Sequence, residues 1–251
     1  MSLGFLGVDA APAGEMRARS PMERLAVKDG ARMSLRDGWN VPEAFSEPTI
    51  ERRRITQKVG FADRSSLTKL ELQAEPAVLA RIVAQATDQG SSGGLALEPT
   101  LAGRAVIGRT PATWWCPVTP ARVLVLCEPG SAQAVRAALV RAQGTAPGTV
   151  TLLDVTCGLA ALSLIGPNAR ELLARFCAID VRPLLTPPAA FRPGSVARTP
   201  GYVLVEAQDR LLVLVGWALG EYLWRVVADA AADLGGGPVG AQALALETAD
   251  A

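Results

Sequence analysis

The side chains available for acid-base or nucleophilic chemistry are restricted, because the sequence contains no histidine. Without imidazole there is no Ser-His-Asp triad, no Cys-His pair and no ordinary histidine-ligated zinc or iron centre. Proton transfer would therefore fall to carboxylates, lysine, cysteine, tyrosine or a bound cofactor. This one property of the composition excludes most hydrolase mechanisms.

The four cysteines do not have the spacing of a known site. Cys116, Cys127, Cys157 and Cys177 are separated by 11, 30 and 20 positions. This fits neither a paired-thiol metal site nor a Cys-x-x-Cys redox motif, and we predict no metal site. Because Cys127 and Cys157 stand in apolar runs, we expect both to be buried free thiols.

Two adjacent tryptophans, Trp114 and Trp115, lie in the segment GRTPATWWCPVTPARVLVLC. Neighbouring side chains of a strand point to opposite faces, so we expect one indole in a core and the other at a cleft or a partner. We take Trp115 as the candidate ligand contact. Asp154 ends the predicted strand VTLLDVT, where its carboxylate either faces a cleft between lobes or caps a turn.

These residues must be positioned by a chain that alternates predicted strands and helices. The order strand, helix, strand, strand, helix occurs roughly twice, which is typical of a split α+β layer with helices on one face of a sheet. We predict an α+β fold with two related split β-α-β lobes. The predicted helices have the sequences PTIERRRITQK, EPAVLARIVAQAT, SAQAVRAALVRAQ, NARELLARFCA and GEYLWRVVADAAADLG.

The lobes are expected at residues 20–148 and 149–240. Residues 1–19 mix Gly, Ala and Pro without periodicity and are predicted to be a flexible arm. Residues 241–251 are predicted to be a tail, and the three glycines before it indicate a flexible end or a helix stop. They are not a phosphate loop, since no lysine follows them.

The overall charge argues against a nucleic-acid partner. Lysine and arginine number 25, aspartate and glutamate 24, and the formal charge is +1. No apolar run reaches the length needed to cross a bilayer, and the N-terminus does not read as a secretory signal, so we expect a cytoplasmic protein. Abundant Ala, Arg, Gly and Pro with scarce Lys suggest a GC-rich bacterial genome.

Two segments carry a resemblance to known families. The C-terminal segment, with DVTCGLAALSLIGPNARELLARFCAIDVRP followed by GYVLVEAQDRLLVLVGWALGEYLW, resembles the γ subunit of heterotetrameric sarcosine oxidase. The N-terminal segment, with SPMERLAVKDGARMSLRDGWNVPEAF and then VGFADRSSLTKLEL, resembles the start of the glycine-cleavage T-protein, an aminomethyltransferase. The resemblance covers about residues 20–240 and implies a tetrahydrofolate-binding α+β architecture. It also implies that the C-terminal β-barrel domain of full T-proteins is lacking.

The resemblance implies candidate ligand contacts. Asp63 falls at the T-protein turn before the strand of the first lobe, and Glu206 follows a segment similar to one whose glutamate holds the pterin. Tyr202 is placed to stack on a pterin ring. Each also has a structural interpretation: Asp63 as a turn residue, Glu206 as an exposed strand position and Tyr202 as an ordinary strand aromatic.

The resemblance also indicates where the chain departs from catalytic T-proteins. These carry a carboxylate just before the strand that here reads ARVLVLCE, but the segment RTPATWWCPVTP contains no Asp or Glu. The catalytic residues are therefore unknown. We expect an accessory or one-carbon-transfer subunit, in a homo-oligomer or beside a partner such as a flavin-dependent oxidase. The alternatives are a stand-alone tetrahydrofolate-dependent aminomethyl- or methyltransferase and an assembly protein without ligand.

Overall fold

The computed structural model describes residues 17–88, 94–144 and 148–249. The helices are α1 Glu23–Lys28, α2 Pro48–Gln57, α3 Pro76–Thr87, α4 Ala132–Gln143, α5 Ala169–Ala174, α6 Gly220–Ala232 and α7 Ala241–Ala249. The strands are β1 Ala18–Arg19, β2 Arg32–Arg36, β3 Trp39–Ala44, β4 Gly60–Asp63, β5 Thr68–Gln73, β6 Gly103–Ala105, β7 Thr113–Thr119, β8 Arg122–Cys127, β9 Thr151–Asp154, β10 Leu159–Ile165, β11 Phe191–Val196, β12 Thr199–Ala207, β13 Arg210–Gly216 and β14 Gly237–Pro238.

The described strands form three sheets. A six-stranded sheet has the order β11-β12-β13-β10-β4-β14, a five-stranded sheet the order β6-β7-β8-β5-β9, and a small sheet the order β1-β3-β2. The two large sheets exchange strands between the halves of the chain. Strand β4 pairs with β10 in the six-stranded sheet, and β9 pairs with β5 in the five-stranded sheet. The predicted lobes, 20–148 and 149–240, therefore do not correspond to one sheet each.

The large sheets pack face to face, because apolar residues alternate along their central strands. In β13, Val213 and Val215 face a core shared with α1, α5 and α6, whereas Leu212 and Leu214 face the other large sheet. In the same way, β8 directs alternate residues to α3 and α4 or to the layer between the sheets. The layers are therefore stacked in the order helices, sheet, sheet, helices. This arrangement confirms the predicted α+β class.

Local sequence explains most helix boundaries. Helices α2 and α3 each begin with a proline at the first turn, where its missing N–H costs no hydrogen bond. The Glu75 side chain accepts a weak hydrogen bond from the Val78 N–H at 3.4 Å and caps α3. Gly235 follows α6 with φ +68°, as a helix stop requires. The predicted strand from Ser66 to Leu72 is β5.

The hairpin of β2 and β3 and the strand β4 were not predicted. The hairpin turns at Asp37 and Gly38, which have φ 48° and 80°, the left-handed pair of a two-residue turn. Strand β4 begins at Gly60, where the sequence indicated only a helix stop.

The tail is helical rather than a flexible end. Ala243 and Leu244 of α7 pack in a small core with Ile55 and Ile165. The Glu51 carboxylate anchors this region, since Oε1 accepts the N–H groups of Phe45 at 2.6 Å and Ser46 at 2.7 Å, and Oε2 accepts that of Gly240 at 2.7 Å. Of the predicted arm, residues 1–16 lie outside the described residues.

Candidate functional site

A charged cavity of about 260 Å³ lies where several elements meet. Asp63 enters it from the end of β4, Asp37 from the β2–β3 turn and Glu128 from the end of β8. Helix α7 forms an apolar wall with Leu244. The charged lining residues are Arg36, Asp37, Asp63, Arg64, Glu128 and Arg210.

Asp63 has an unusual environment for a carboxyl group. Its Oδ1 accepts a hydrogen bond from the Ser65 N–H at 2.8 Å, and its buried Oδ2 makes no hydrogen bond with the described residues. Burial raises the pKa of Asp63 above its ordinary value, although the nearby Ser20 and Ser65 and the charge of Lys69 act in the opposite direction. The carboxyl is thus held closer to protonation than an exposed aspartate.

Lys69 is buried behind this cavity. Its Nζ donates to the main-chain oxygens of Ser65 and Leu67, both at 2.8 Å, and of Thr156 at 3.3 Å. Burial lowers the pKa of Lys69 to about 8, and the Asp63 charge is the largest influence in the opposite direction. Lys69 has 0% exposure, so its ammonium group stabilises the turn and the Asp63 charge rather than meeting a ligand.

Each arginine of the cavity already has a carboxylate partner. Arg36 donates from Nε to Glu43 at 2.8 Å, Arg64 binds Glu128, and Arg210 donates from Nε to Glu206 at 3.2 Å. The arrangement suits a small polar group that exchanges hydrogen bonds with Asp63. The cavity has no excess of positive charge with which to bind a multiply charged anion, because its arginines and acidic residues are nearly equal in number.

Trp114 and Trp115 lie in different layers of the fold. Trp115 is fully buried among residues of α3 and α4, and its Nε1 donates to the Thr113 Oγ1 at 2.8 Å. Trp115 therefore has no surface open to a ligand in this structure. Trp114 is half-buried at the layer between the sheets, with the Arg104 guanidinium 4.9 Å from its ring centre.

Tyr202 and Glu206 lie on the same strand but in different surroundings. Tyr202 stacks on Phe191 with ring centres 5.3 Å apart, and its hydroxyl accepts a weak hydrogen bond from Arg122 at 3.4 Å. It lines an open cleft of about 880 Å³ together with Leu159 and Leu219. Glu206 is joined to the charged cavity only through its ion pair with Arg210.

Asp154 lies outside both openings. It is exposed and accepts hydrogen bonds from the Thr156 N–H at 3.0 Å and from Arg136 at 2.9 Å. Partial burial raises its pKa, but these hydrogen bonds and the Arg136 charge outweigh it and hold the pKa below the ordinary value. The turn cap to Thr156 and the ion pair with Arg136 thus give the Asp154 carboxylate a structural role.

The cysteines follow the expected pattern with one correction. Cys116 and Cys127 are buried, and burial raises the pKa of both thiols. Cys157 was expected to be buried but is exposed, because the strand β9 ends at Asp154 and the following turn lies at the surface. Among the residues that the structure describes, no group of three or more Cys, Asp or Glu side chains could hold a metal ion.

The structure brings together Asp63 and, through Arg210, Glu206. Tyr202, Asp154 and Trp115 do not line the charged cavity. Sequence reasoning missed Arg64, Glu128 and Lys69. The lysine had a visible signal, a single charge within the alternating strand SLTKLEL, whereas the ion pair of Arg64 with Glu128 joins residues 64 positions apart.

Two solved structures are similar in fold to this protein. The structure superposes on glycine cleavage system aminomethyltransferase T from Bartonella henselae with a TM-score of 0.71 and 16% identity, covering 90% of this chain and 60% of that chain. It superposes on a chain of heterotetrameric sarcosine oxidase from Corynebacterium sp. U-96 with a TM-score of 0.60 and 18% identity, covering 88% of this chain and 98% of that chain. The chain thus spans less than two thirds of the aminomethyltransferase. No curated protein matches the sequence.

These likenesses confirm the α+β fold that the resemblance of the sequence motifs implies. In the described part of the chain, each helix is too short or too polar to traverse a bilayer.

The model of the GCVT N-terminal domain family matches residues 22–207, which include Asp63 of the charged cavity and the paired tryptophans. The chain therefore belongs to the GCVT N-terminal domain family.

Proposed function

We propose that this protein is an accessory subunit that works beside a flavin-dependent amine-oxidising partner and does not catalyse one-carbon transfer alone. The observation that carries the proposal is the pair Trp114 and Trp115. They occupy the segment in which, by resemblance, a catalytic T-protein holds its acid. An indole N–H does not titrate near neutral pH, so neither tryptophan can replace a carboxylate in exchanging a proton with a one-carbon adduct. Trp115 is also buried in a core, and Trp114 lies under Arg104.

The fold similarity supports the same role. The structure superposes on 98% of a chain of heterotetrameric sarcosine oxidase, so a chain of this fold is known inside a heteromeric oxidase.

We further propose that a reduced folate binds with the polar edge of its ring at the charged cavity. The resemblance of the sequence motifs to T-proteins implies a tetrahydrofolate ligand. Asp63 lines this cavity and supplies a carboxyl group that can accept a ring N–H. A volume of about 260 Å³ is below the 300–1,000 Å³ of most ligand sites, so the cavity would hold only part of the ligand. Tyr202 offers an aromatic surface in its own cleft.

Calorimetry with 5-formyl-tetrahydrofolate tests the ligand. We expect binding by the full chain, weakened about tenfold or more in Asp63→Asn, because a buried acceptor loses its charge. Asp154→Asn is the matched control, since Asp154 lies outside the cavity, and it should bind like the unmodified protein. If no heat is measured at high micromolar folate, the proposal of a folate ligand is wrong, and the role as an assembly protein without ligand remains.

Two measurements test the accessory role. The isolated chain should release no formaldehyde and form no methylene-tetrahydrofolate from sarcosine or aminomethyl donors. The tagged chain purified from its native host should bring with it a protein whose visible absorbance is that of a flavin. Turnover by the isolated chain at about 1 per second or faster would instead establish a transferase.

One observation favours the transferase as second candidate. Asp63 is half-buried, lines a cavity and has a pKa raised by burial of its carboxyl group, which are properties of a general acid. If the isolated chain turns over, Asp63→Asn should abolish turnover whereas Asp154→Asn should leave it unchanged.

A further inference from the structure

The open cleft beside Tyr202, named here the tyrosine cleft, has mostly apolar walls. Its volume is about 880 Å³, and it is lined chiefly by Leu159, Pro193, Pro200, Tyr202 and Leu219. The aromatic wall is held in place, because Tyr202 stacks on Phe191 with ring centres 5.3 Å apart. A cleft of this size can take up several apolar side chains, and their removal from water would be favourable.

One cation stands at the rim of the tyrosine cleft. Arg198 lines the cleft and belongs to the two-residue turn between β11 and β12. Ala197 and Arg198 have φ 49° and 61°, the left-handed pair of such a turn, which fixes the backbone at the rim. Arg198 is exposed and forms no hydrogen bond or ion pair with any other residue that the structure describes. The rim therefore carries a positive charge that no described acidic residue neutralises.

The described chain begins beside the tyrosine cleft. Pro21 packs so closely on Gly220 that a Cβ there would lie 2.6 Å from the Pro21 Cγ and 3.4 Å from the Ala160 Cβ. Gly220 directly follows Leu219, and Ala160 directly follows Leu159, both of the cleft wall. The polypeptide thus starts its described course at the edge of the cleft.

The sequence before this point contains a segment that matches the cleft in polarity and charge. Residues 3–9 have the sequence LGFLGVD, in which four large apolar side chains are followed by an aspartate. Residues 10–16 connect this segment to Arg17 and span up to about 25 Å when extended. Because Arg17 is only four positions before Pro21, this length is sufficient for residues 3–9 to reach the cleft.

We propose that the LGFLGVD segment occupies the tyrosine cleft of its own chain, with Phe5 and Leu6 against Tyr202 and Asp9 beside Arg198. The apolar side chains supply most of the binding free energy, since an exposed ion pair contributes little. The pair of Asp9 with Arg198 sets the orientation of the segment. The short connection gives the contact an effective concentration of about millimolar, which favours it over the same segment of another chain.

This proposal does not depend on the proposed function, because the charged cavity at Asp63 is a separate opening. It does have a consequence for ligands. With the segment in place, a ligand reaches the Tyr202 ring only by displacing residues 3–9.

Disulfide formation in the full chain tests the contact. Leu6→Cys is combined with Pro200→Cys in a chain that also carries Cys157→Ser and Cys177→Ser, so that the remaining native cysteines are buried. On mild oxidation we expect a disulfide within one chain, identified by mass spectrometry. It should form at least about ten times faster than in the matched control, Leu6→Cys with Val140→Cys, because Val140 is exposed on α4 and does not line the cleft.

A synthetic peptide provides a second measurement. The peptide of residues 2–10, SLGFLGVDA, should bind the full-length variant Phe5→Asp with Leu6→Asp, whose own segment no longer fills the cleft. It should bind the unmodified chain at least about tenfold more weakly, because the cleft is already occupied. Arg198→Asp in the variant should weaken peptide binding, and a peptide with Asp9→Arg should recover part of the loss.

Three results would overturn the proposal. The first is a disulfide that forms equally fast at position 200 and at the control position 140. The second is a disulfide between two chains, which would assign the cleft to the segment of a second copy. The third is a peptide that binds the variant and the unmodified chain equally, or binds neither.

Discussion

Trp114 and Trp115 are consecutive residues of β7, and their indoles lie on opposite faces of the five-stranded sheet. Trp115 belongs to the core under α3 and α4, whereas Trp114 borders the layer between the two large sheets. Trp115 thus stabilises the core between the five-stranded sheet and the helices α3 and α4, whereas Trp114 lies at the edge of the layer between the two large sheets.

Replacing these residues separately should have unequal costs. Trp115→Ala removes a fully buried indole and should lower the free energy of unfolding by about 3–5 kcal/mol. Trp114→Ala should cost clearly less, because Trp114 is only half-buried. Urea unfolding of both variants provides the comparison, and equal losses would contradict the assignment of the two layers.

The stability of the protein should depend on the titration of Lys69 at alkaline pH. Its pKa is about 8 in the folded state and 10.5 ordinarily, so the unfolded state binds more protons between these values. Stability associated with Lys69 is therefore low below pH 8 and rises by up to about 3 kcal/mol as the pH approaches 10.5.

The matched variant for this measurement is Lys69→Met. The unmodified protein should gain free energy of unfolding relative to the variant as pH rises from 8. Contributions of the buried Cys116 and Cys127 are common to both proteins and cancel in the difference. A difference that stays constant with pH would show that Lys69 does not titrate in this range.

Asp63 should affect stability in the acid range with the opposite sign. Since burial raises its folded-state pKa, its contribution is fully present below the ordinary value of 3.8 and is lost as the pH rises through the raised value. Asp63→Asn keeps an oxygen for the Ser65 N–H. Its stability relative to the unmodified protein should therefore increase in urea unfolding as the pH rises above the ordinary value of 3.8.

Glu51 should control how firmly α7 is attached. Glu51→Ala leaves three main-chain N–H groups without their acceptor, including that of Gly240, and should cost about 2–3 kcal/mol. The exposed Glu47→Ala in the same segment is the control and should have little effect. Amide hydrogen exchange at Gly240 should accelerate in Glu51→Ala, and an unchanged rate would mean that α7 is held by its apolar contacts alone.

Local signals predicted most of the helices, though not α7, and several strands. Prolines at the first turns of α2 and α3 and the alternation in SLTKLEL correspond to elements of the structure. The β2–β3 hairpin also had a local signal, since Asp37-Gly38 between two short apolar and polar runs is typical of a two-residue turn. The β2–β3 hairpin could therefore have been predicted from the sequence.

The arrangement of the site depended on information that no local pattern contains. Alternation places Trp114 and Trp115 on opposite faces but does not say which face the helices cover, because that is decided by the register with β8. The charged cavity likewise joins Asp63 to Glu128 and Arg210, which lie far away in the sequence and meet it only through the tertiary fold.

The position of β4 between β10 and β14 also constrains the order of events during synthesis. When residues 60–63 leave the ribosome, both of their strand partners are still untranslated, and β14 is added only at residues 237–238. The apolar Phe61 and the unpaired edges of β4 must therefore wait until β10 and then β14 have been synthesised. Completion of the six-stranded sheet therefore waits for the synthesis of Gly237 and Pro238, and a chaperone that shields β4 would act before that point.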